Sequence, residues 1–129
     1  MVRVQRFEDL EAWKLVREIT NEIYTLSSAE TFYRDFGLRD QIRRSAVSIM
    51  SNIAEGFECD GDKEFIQFLS IAKGSAGEVR SQLYVALDRA YVPEEDFRRV
   101  YGKLVECSRV ISGLVKYLRQ SELKGRKFT

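Results

Sequence analysis

The sequence has no histidine, a single proline (Pro93), two cysteines and eight glycines in 129 residues. Without histidine there is no Ser-His or Cys-His nucleophile system, no Glu-x-x-His di-iron motif and no ordinary imidazole base. Cys59 and Cys107 show no metal-ligand spacing and, with no export signal ahead of them, read as reduced thiols. No stretch reaches the ~18 uninterrupted apolar residues of a membrane span. An excess of charge is also missing: 21 basic residues oppose 20 acidic ones, a net charge of +1. Attraction to nucleic acid or an anionic membrane must then come from local clustering. These absences predict a soluble, cytoplasmic protein with no cofactor, no metal and no membrane partner.

What is present is apolar periodicity. Hydrophobic residues make up 44% and charged residues 32% of the chain, within the range of a folded domain. Few helix breakers among many Leu, Ala, Glu, Lys and Arg favour long helices. Leu10, Trp13, Val16, Ile19, Ile23 and Leu26 recur at steps of three or four and predict a helix over 7–27. The connection SSAETFYRDFG follows, with Phe32, Tyr33 and Phe36 available to plug the end of a bundle. Ile42, Ala46, Ile49, Ile53 and Phe57 predict a second helix over 38–57. Phe65, Leu69, Ala72, Ala76, Val79, Leu83, Leu87 and Ala90 predict a third over 62–91, about 45 Å long. Pro93 stops it, because a residue before proline avoids helical geometry. A fourth helix over 94–118 carries Phe97, Val100, Leu104, Ile111, Val115 and Leu118, and a basic, frayed tail occupies 119–129. Short connections between such helices favour an antiparallel up-down-up-down four-helix bundle, one domain over 1–129.

Two features of the third helix call for explanation. Glycine inside a helix costs up to about 1 kcal/mol against alanine, so the KGSAGEV string needs compensation. Close approach of a neighbouring helix at Gly74, Ser75 and Gly77 supplies it. The last two helices also carry more apolar width than one core needs, which places Ile66, Tyr84, Tyr91, Val110, Leu114 and Tyr117 at an oligomer interface.

Chemistry-bearing motifs are few. Ser70 and Lys73 fit an S-x-x-K pattern but lack its companion motifs, and GSAG follows a helical run rather than a strand. The acidic cluster Glu55, Glu58, Asp60, Asp62 and Glu64 lacks calcium-loop spacing and suits helix ends. Gln41, Ser45, Ser48, Asn52 and Glu55 form a polar line beside the apolar face of the second helix. It is either a solvated face or a hydrogen-bonded seam against the small residues of the third. The basic candidates for phosphate contact are Lys14 and Arg17, Arg39, Arg43 and Arg44, Arg98 and Arg99, since guanidinium groups donate paired hydrogen bonds to phosphate oxygens. Their competing use is intrachain pairing, such as Asp40 with Arg44. Lys124, Arg126 and Lys127 add a basic tail.

The blocks FEDLEAWK, LRDQIRRSAVSIMSNIAEG and EFIQFLSIAKGSAGEVRSQL resemble the bacterial 23S rRNA-intervening sequence proteins, over about Phe7 to Leu118. The match is carried by Trp13, Lys14, Gln41, Arg44, Ser48, Ile49, Asn52, Ile53, Ala54, Glu55, Gly56, Phe65, Leu69, Ala72, Gly74 and Ser75. The resemblance implies a homopentamer of four-helix bundles with no established catalytic activity. More distantly it is similar to accessory proteins of diversity-generating retroelements, basic pentamers that bind nucleic acid and a reverse transcriptase. The chain departs from the pattern in lacking a proline before the second helix and in its near-neutral charge. The combined expectation is a non-enzymatic, self-associating module that contacts RNA or DNA through basic helix faces, or a scaffold that binds a protein partner.

Overall fold

A computed structural model describes the backbone of residues 4–128 and side chains through residue 121. The tail cations Lys124, Arg126 and Lys127 lie outside the described side chains. A 3-10 turn, Phe7–Asp9, is followed by α1 (Glu11–Leu26), α2 (Glu30–Arg34), α3 (Phe36–Glu58), α4 (Asp62–Asp88) and α5 (Glu94–Phe128), with no strand among the described residues. The four long helices form a helical bundle. α1 packs on α3 and α5, α4 packs on the same two, and α2 lies on α3. Their apolar stripes meet in one core that includes Val16, Ile19, Ile23, Ile42, Ile49, Ile53, Leu69, Val79, Leu83, Leu104 and Ile111, all fully buried. None of the described helices is long and apolar enough to cross a membrane.

The helix ends show how the chain turns. Ser27 closes α1 by donating its hydroxyl to the Ile23 carbonyl at 2.7 Å. The connection that follows is itself helical. Phe32 of α2 is buried and stacks on Tyr91 at 5.4 Å, so it does plug the bundle, whereas Tyr33 and Phe36 stay exposed. Asp35 caps α3: Oδ1 accepts the Leu38 N–H at 3.2 Å, and Oδ2 accepts the Tyr91 hydroxyl at 3.0 Å. α3 therefore begins before the expected position 38. Gly61, at φ 125°, turns the chain from α3 into α4, a conformation side-chain-bearing residues rarely adopt.

The expected stop at Pro93 is corrected. α4 ends at Asp88, where the Ala90 N–H donates to the Leu87 carbonyl at 2.9 Å and the Tyr91 N–H to the Ala86 carbonyl at 2.8 Å. This is a Schellman turn with alanine at φ 59° in the place glycine usually fills. Tyr91 lies outside the helix, and Pro93 instead accepts the Phe97 N–H at 3.0 Å, opening α5 ahead of Glu94, Glu95 and Asp96. α5 runs on to Phe128, past the expected end at 118.

The expected close-packing site is corrected as well. Gly74 is exposed with nothing within 4 Å of where a Cβ would stand, and the nearest atom to that point at Gly77 is Arg80 Nη2 at 3.7 Å. The close approach occurs at Gly56 of α3, where a Cβ would fall 2.7 Å from Phe68 Cβ and 2.9 Å from Phe65 Cδ1. Of the small-residue string, Ser75 and Ala76 do face the interior.

Candidate binding surface around helix α3

The amino-terminal half of α3 carries two different polar surfaces, one toward α1 and α2 and one toward α4. On the first, the Arg43 guanidinium lies over the Tyr24 ring at 4.5 Å and the Tyr33 ring at 5.8 Å. That of Arg39 lies over Tyr33 at 4.3 Å and Phe36 at 4.9 Å. The result is a ladder, Tyr24–Arg43–Tyr33–Arg39–Phe36, whose rings are 43%, 47% and 61% exposed at Tyr24, Tyr33 and Phe36. Each stack contributes about 0.5–1 kcal/mol at an exposed site.

The two arginines differ in charge balance. Arg39 Nε donates to Asp40 Oδ1 at 2.8 Å, and that bond holds the Asp40 carboxyl below its ordinary range. The expected Asp40–Arg44 pair is thus replaced by Asp40–Arg39. Arg43 Nε donates to Ser27 Oγ at 2.7 Å and Nη2 to Ser28 Oγ at 3.2 Å, with the Tyr24 carbonyl at 3.4 Å. All three acceptors are neutral, so its positive charge is fixed in place but not cancelled.

The second surface is a cleft of about 340 Å³ between α3 and α4, lined by Gln41, Arg44, Ser45, Ser48 and, from α4, Ser75, Glu78 and Gln82. At its base the Ser48 and Ser75 hydroxyls share a hydrogen bond at 3.0 Å, and Asn52 Nδ2 donates to Ser48 Oγ at 3.0 Å. Gln82 Nε2 donates to Ser45 Oγ at 3.2 Å, and Ser45 Oγ to Glu78 Oε2 at 3.4 Å. Gln82 Oε1 is buried with no partner among the described residues. An unmet buried acceptor is costly, and a donor arriving in the cleft would satisfy it. The polar line of the sequence therefore divides: Ser45, Ser48 and Asn52 form the hydrogen-bonded seam, Gln41 lines the cleft mouth, and Glu55 is exposed away from it. Sequence reasoning missed Glu78 and Gln82, although their three- and seven-residue steps from Ser75 put all three on one helix face.

The remaining basic candidates are dispersed. Arg98 pairs with Glu94, and Arg99 bridges Glu22 and Asp96, each at 2.8 Å. Lys103 joins Glu22 at 2.9 Å, tying α5 to α1. Burial alone would raise the Glu22 carboxyl, but the hydrogen bonds from Lys103 and Arg99 outweigh it and hold it below the usual range. Lys14, Arg17 and Arg44 are exposed and form no ion pair among the described residues, Arg17 lying 5.9 Å from the Trp13 ring. Arg39 and Arg43 are gathered on the ladder, while Arg44 lines the cleft on the other side of α3.

The residues expected at an oligomer interface are also spread out. Val110 and Leu114 flank a shallow apolar groove with Val4 and Leu10. Tyr84 is exposed against Phe97 and Tyr101, Tyr117 is exposed farther along α5, and Ile66 is half-buried on the core. Tyr91 is engaged within the chain through Asp35 and Phe32. Among the described residues no three Asp, Glu or Cys side chains converge as metal ligands, the α3–α4 acidic cluster included.

Comparison with known proteins bears on this geometry. The fold is similar to a solved protein of unknown function from the S23 ribosomal protein family of Bacteroides thetaiotaomicron, with a TM-score of 0.75 and 24% identity over 81% of this chain and 98% of that one. No curated protein matches the sequence. The profile of the family described as 23S rRNA-intervening sequence protein matches residues 8–113, spanning α1 to α4, the α3 surface and much of α5. The chain belongs to the 23S rRNA-intervening sequence protein family.

Proposed function

We propose that the protein is a non-enzymatic, cytoplasmic binding module, its four long helices running up-down-up-down, which assembles into a homopentamer and contacts unpaired RNA through the α3 surface. The arginine–aromatic ladder carries this reading. Exposed rings give bases a stacking platform, and Arg43 among them offers uncancelled charge to the nucleic-acid backbone. Self-association would repeat the ladder on every subunit, so that a weak single contact becomes multivalent.

The test is fluorescence anisotropy with a labelled single-stranded RNA at several salt concentrations. Affinity falls as salt rises, Tyr33→Ala/Phe36→Ala weakens it by about 1–3 kcal/mol per lost stack, and Arg43→Ala lowers the salt slope by about one. Absence of binding at low salt, or a flat salt response, overturns the reading. Native mass spectrometry tests assembly, and a sharp monomer mass removes both pentamer and multivalency.

A second reading, a protein-binding scaffold, is favoured by the net charge of +1 and by the exposed apolar residues Ile71, Tyr84, Val85 and Tyr117 on α4 and α5. A protein partner retained from lysate after nuclease treatment supports it, and release by nuclease supports the RNA reading.

A further inference from the structure

Residues 65–77 and 107–121 contain no acidic side chain, and their only charged residues are Lys73, Arg109, Lys116 and Arg119. α4 and α5 bring these stretches together around a groove of about 440 Å³. Leu69, Ile111 and Val115 form its aliphatic floor, with Lys73 on the α4 wall and Lys116 and Arg119 on the α5 wall. Arg109, outside the groove, faces Glu106 at 3.7 Å, but none of the three rim cations forms an ion pair among the described residues. Lys14, Arg17 and Arg44 are also unpaired among the described residues, but Arg44 is the one cation lining the α3–α4 cleft and none lines the Val110–Leu114 groove, whereas three border this one.

We infer that the α4–α5 groove docks an acidic amphipathic helix of a partner protein. The arrangement of charge selects the occupant. Cations stand on both walls of an apolar floor, which calls for an apolar ridge flanked by anions on both sides. A helix with apolar residues at i, i+3 or i+4 and i+7, and Glu or Asp on either flank, presents that pattern. An anionic lipid carries its charge at one end and would leave one wall unmatched. A single nucleic-acid strand draws its affinity partly from stacking on aromatic rings, and the floor here has none. This groove is separate from the α3 surface and shares no residue with it, so either assignment can fail without the other.

The probe is a labelled helical peptide of about four turns with leucines on one stripe and glutamates on both flanks. Its comparison peptides carry lysine in place of each glutamate, or the same residues in scrambled order. Binding to the full-length protein is measured by anisotropy, with circular dichroism checking that variants keep the wild-type helix content. The acidic peptide binds, both comparison peptides bind at least about tenfold more weakly, and Lys73→Glu/Lys116→Glu lowers affinity by about tenfold or more. Tyr33→Ala/Phe36→Ala leaves peptide binding unchanged. Equal binding of acidic and basic peptides, or full affinity in the charge-reversed variant, overturns the inference. So does displacement of the peptide by single-stranded RNA whose own binding is lost on the same charge reversal, since that gives the groove to nucleic acid.

Discussion

Substituting alanine for Gly56 sets two opposing effects of comparable size against each other. Alanine favours a helix over glycine by up to about 1 kcal/mol, less so this near the end of α3. Against that gain, the new methyl would stand 2.7 Å from Phe68 Cβ and 2.9 Å from Phe65 Cδ1, with the Phe65 carbonyl oxygen at 3.4 Å. The Phe65 ring can rotate away, but Phe68 Cβ is fixed to the α4 backbone and moves only if the two helices separate. Overpacking of this kind costs about 1–3 kcal/mol, so Gly56→Ala is expected to destabilise by about 1–2 kcal/mol. Gly74→Ala supplies the opposite arm: exposed, helical and with nothing within 4 Å, it should stabilise by about 0.5–1 kcal/mol. Urea unfolding monitored by circular dichroism reads both as shifts of midpoint at constant slope. A Gly56→Ala midpoint at or above wild type would refute the close approach at Gly56. A loss of stability in Gly74→Ala would restore the packing role that the sequence assigns to that position.

Other perturbations follow from the helix ends and the buried groups. Ala90→Gly should stabilise by about 0.5–1 kcal/mol, because relief of a left-handed alanine exceeds the added freedom of the unfolded chain; an unchanged or lower midpoint would refute the strain. Tyr91→Phe should lower the unfolding midpoint by removing the hydrogen bond to Asp35. That bond raises the Tyr91 phenol, so its contribution is complete below the ordinary tyrosine range and fades as pH rises through the folded value; a wild-type–variant gap that persists in strong alkali would count against it. Burial pushes the Cys107 thiol up to about 12, so at pH 8 iodoacetamide should label the half-buried Cys59 and spare Cys107 in the native protein, which intact-mass analysis reads directly. Glu22→Gln should cost about 0.5–1 kcal/mol at neutral pH, and because the folded carboxyl is depressed, the gap between variant and wild type should close as pH falls through that value.

The long helices were legible because burial follows spacing. Val16, Ile19 and Ile23, or Ile42, Ala46, Ile49 and Ile53, recur at the helical step and reach the core together. What the sequence hid was set by contacts between segments. α2 has five residues, too few for a periodic stripe, and is held by Phe32 reaching Tyr91, far along the chain. The end of α4 carries alanine where a Schellman turn usually shows glycine, so the visible Pro93 drew the boundary instead. The glycine string of α4 and Gly56 of α3 look alike in composition. Only the register that sets Gly56 against Phe65 and Phe68 shows which of them is crowded.

The binding surfaces depend on a quantity that net charge conceals. A total of +1 is equally compatible with every cation paired and with a strongly uneven distribution. Pairing at Arg98 and Arg99 and the local bond at Arg39 remove three of the seven arginine and lysine candidates from that count as free charge. The charge of Arg43 is not cancelled, because its acceptors at Ser27 and Ser28, between α1 and α2, are neutral. Lys73 stood out in sequence only through its S-x-x-K spacing from Ser70, and Lys116 and Arg119 lie more than 40 residues farther along the chain. They become a cluster only when two acid-free stretches are packed side by side. Because an ion pair at the surface contributes little and a partnered cation has less to offer a ligand, unpaired charge held by a rigid helix is the better guide to where this bundle binds. Lys14, Arg17 and Arg44 meet that measure too, but the α3 ladder and the α4–α5 groove add a second feature to the unpaired charge. The first is distinguished by its exposed rings and the second by its aliphatic floor, and that difference in what accompanies the charge is the reason they are assigned different partners.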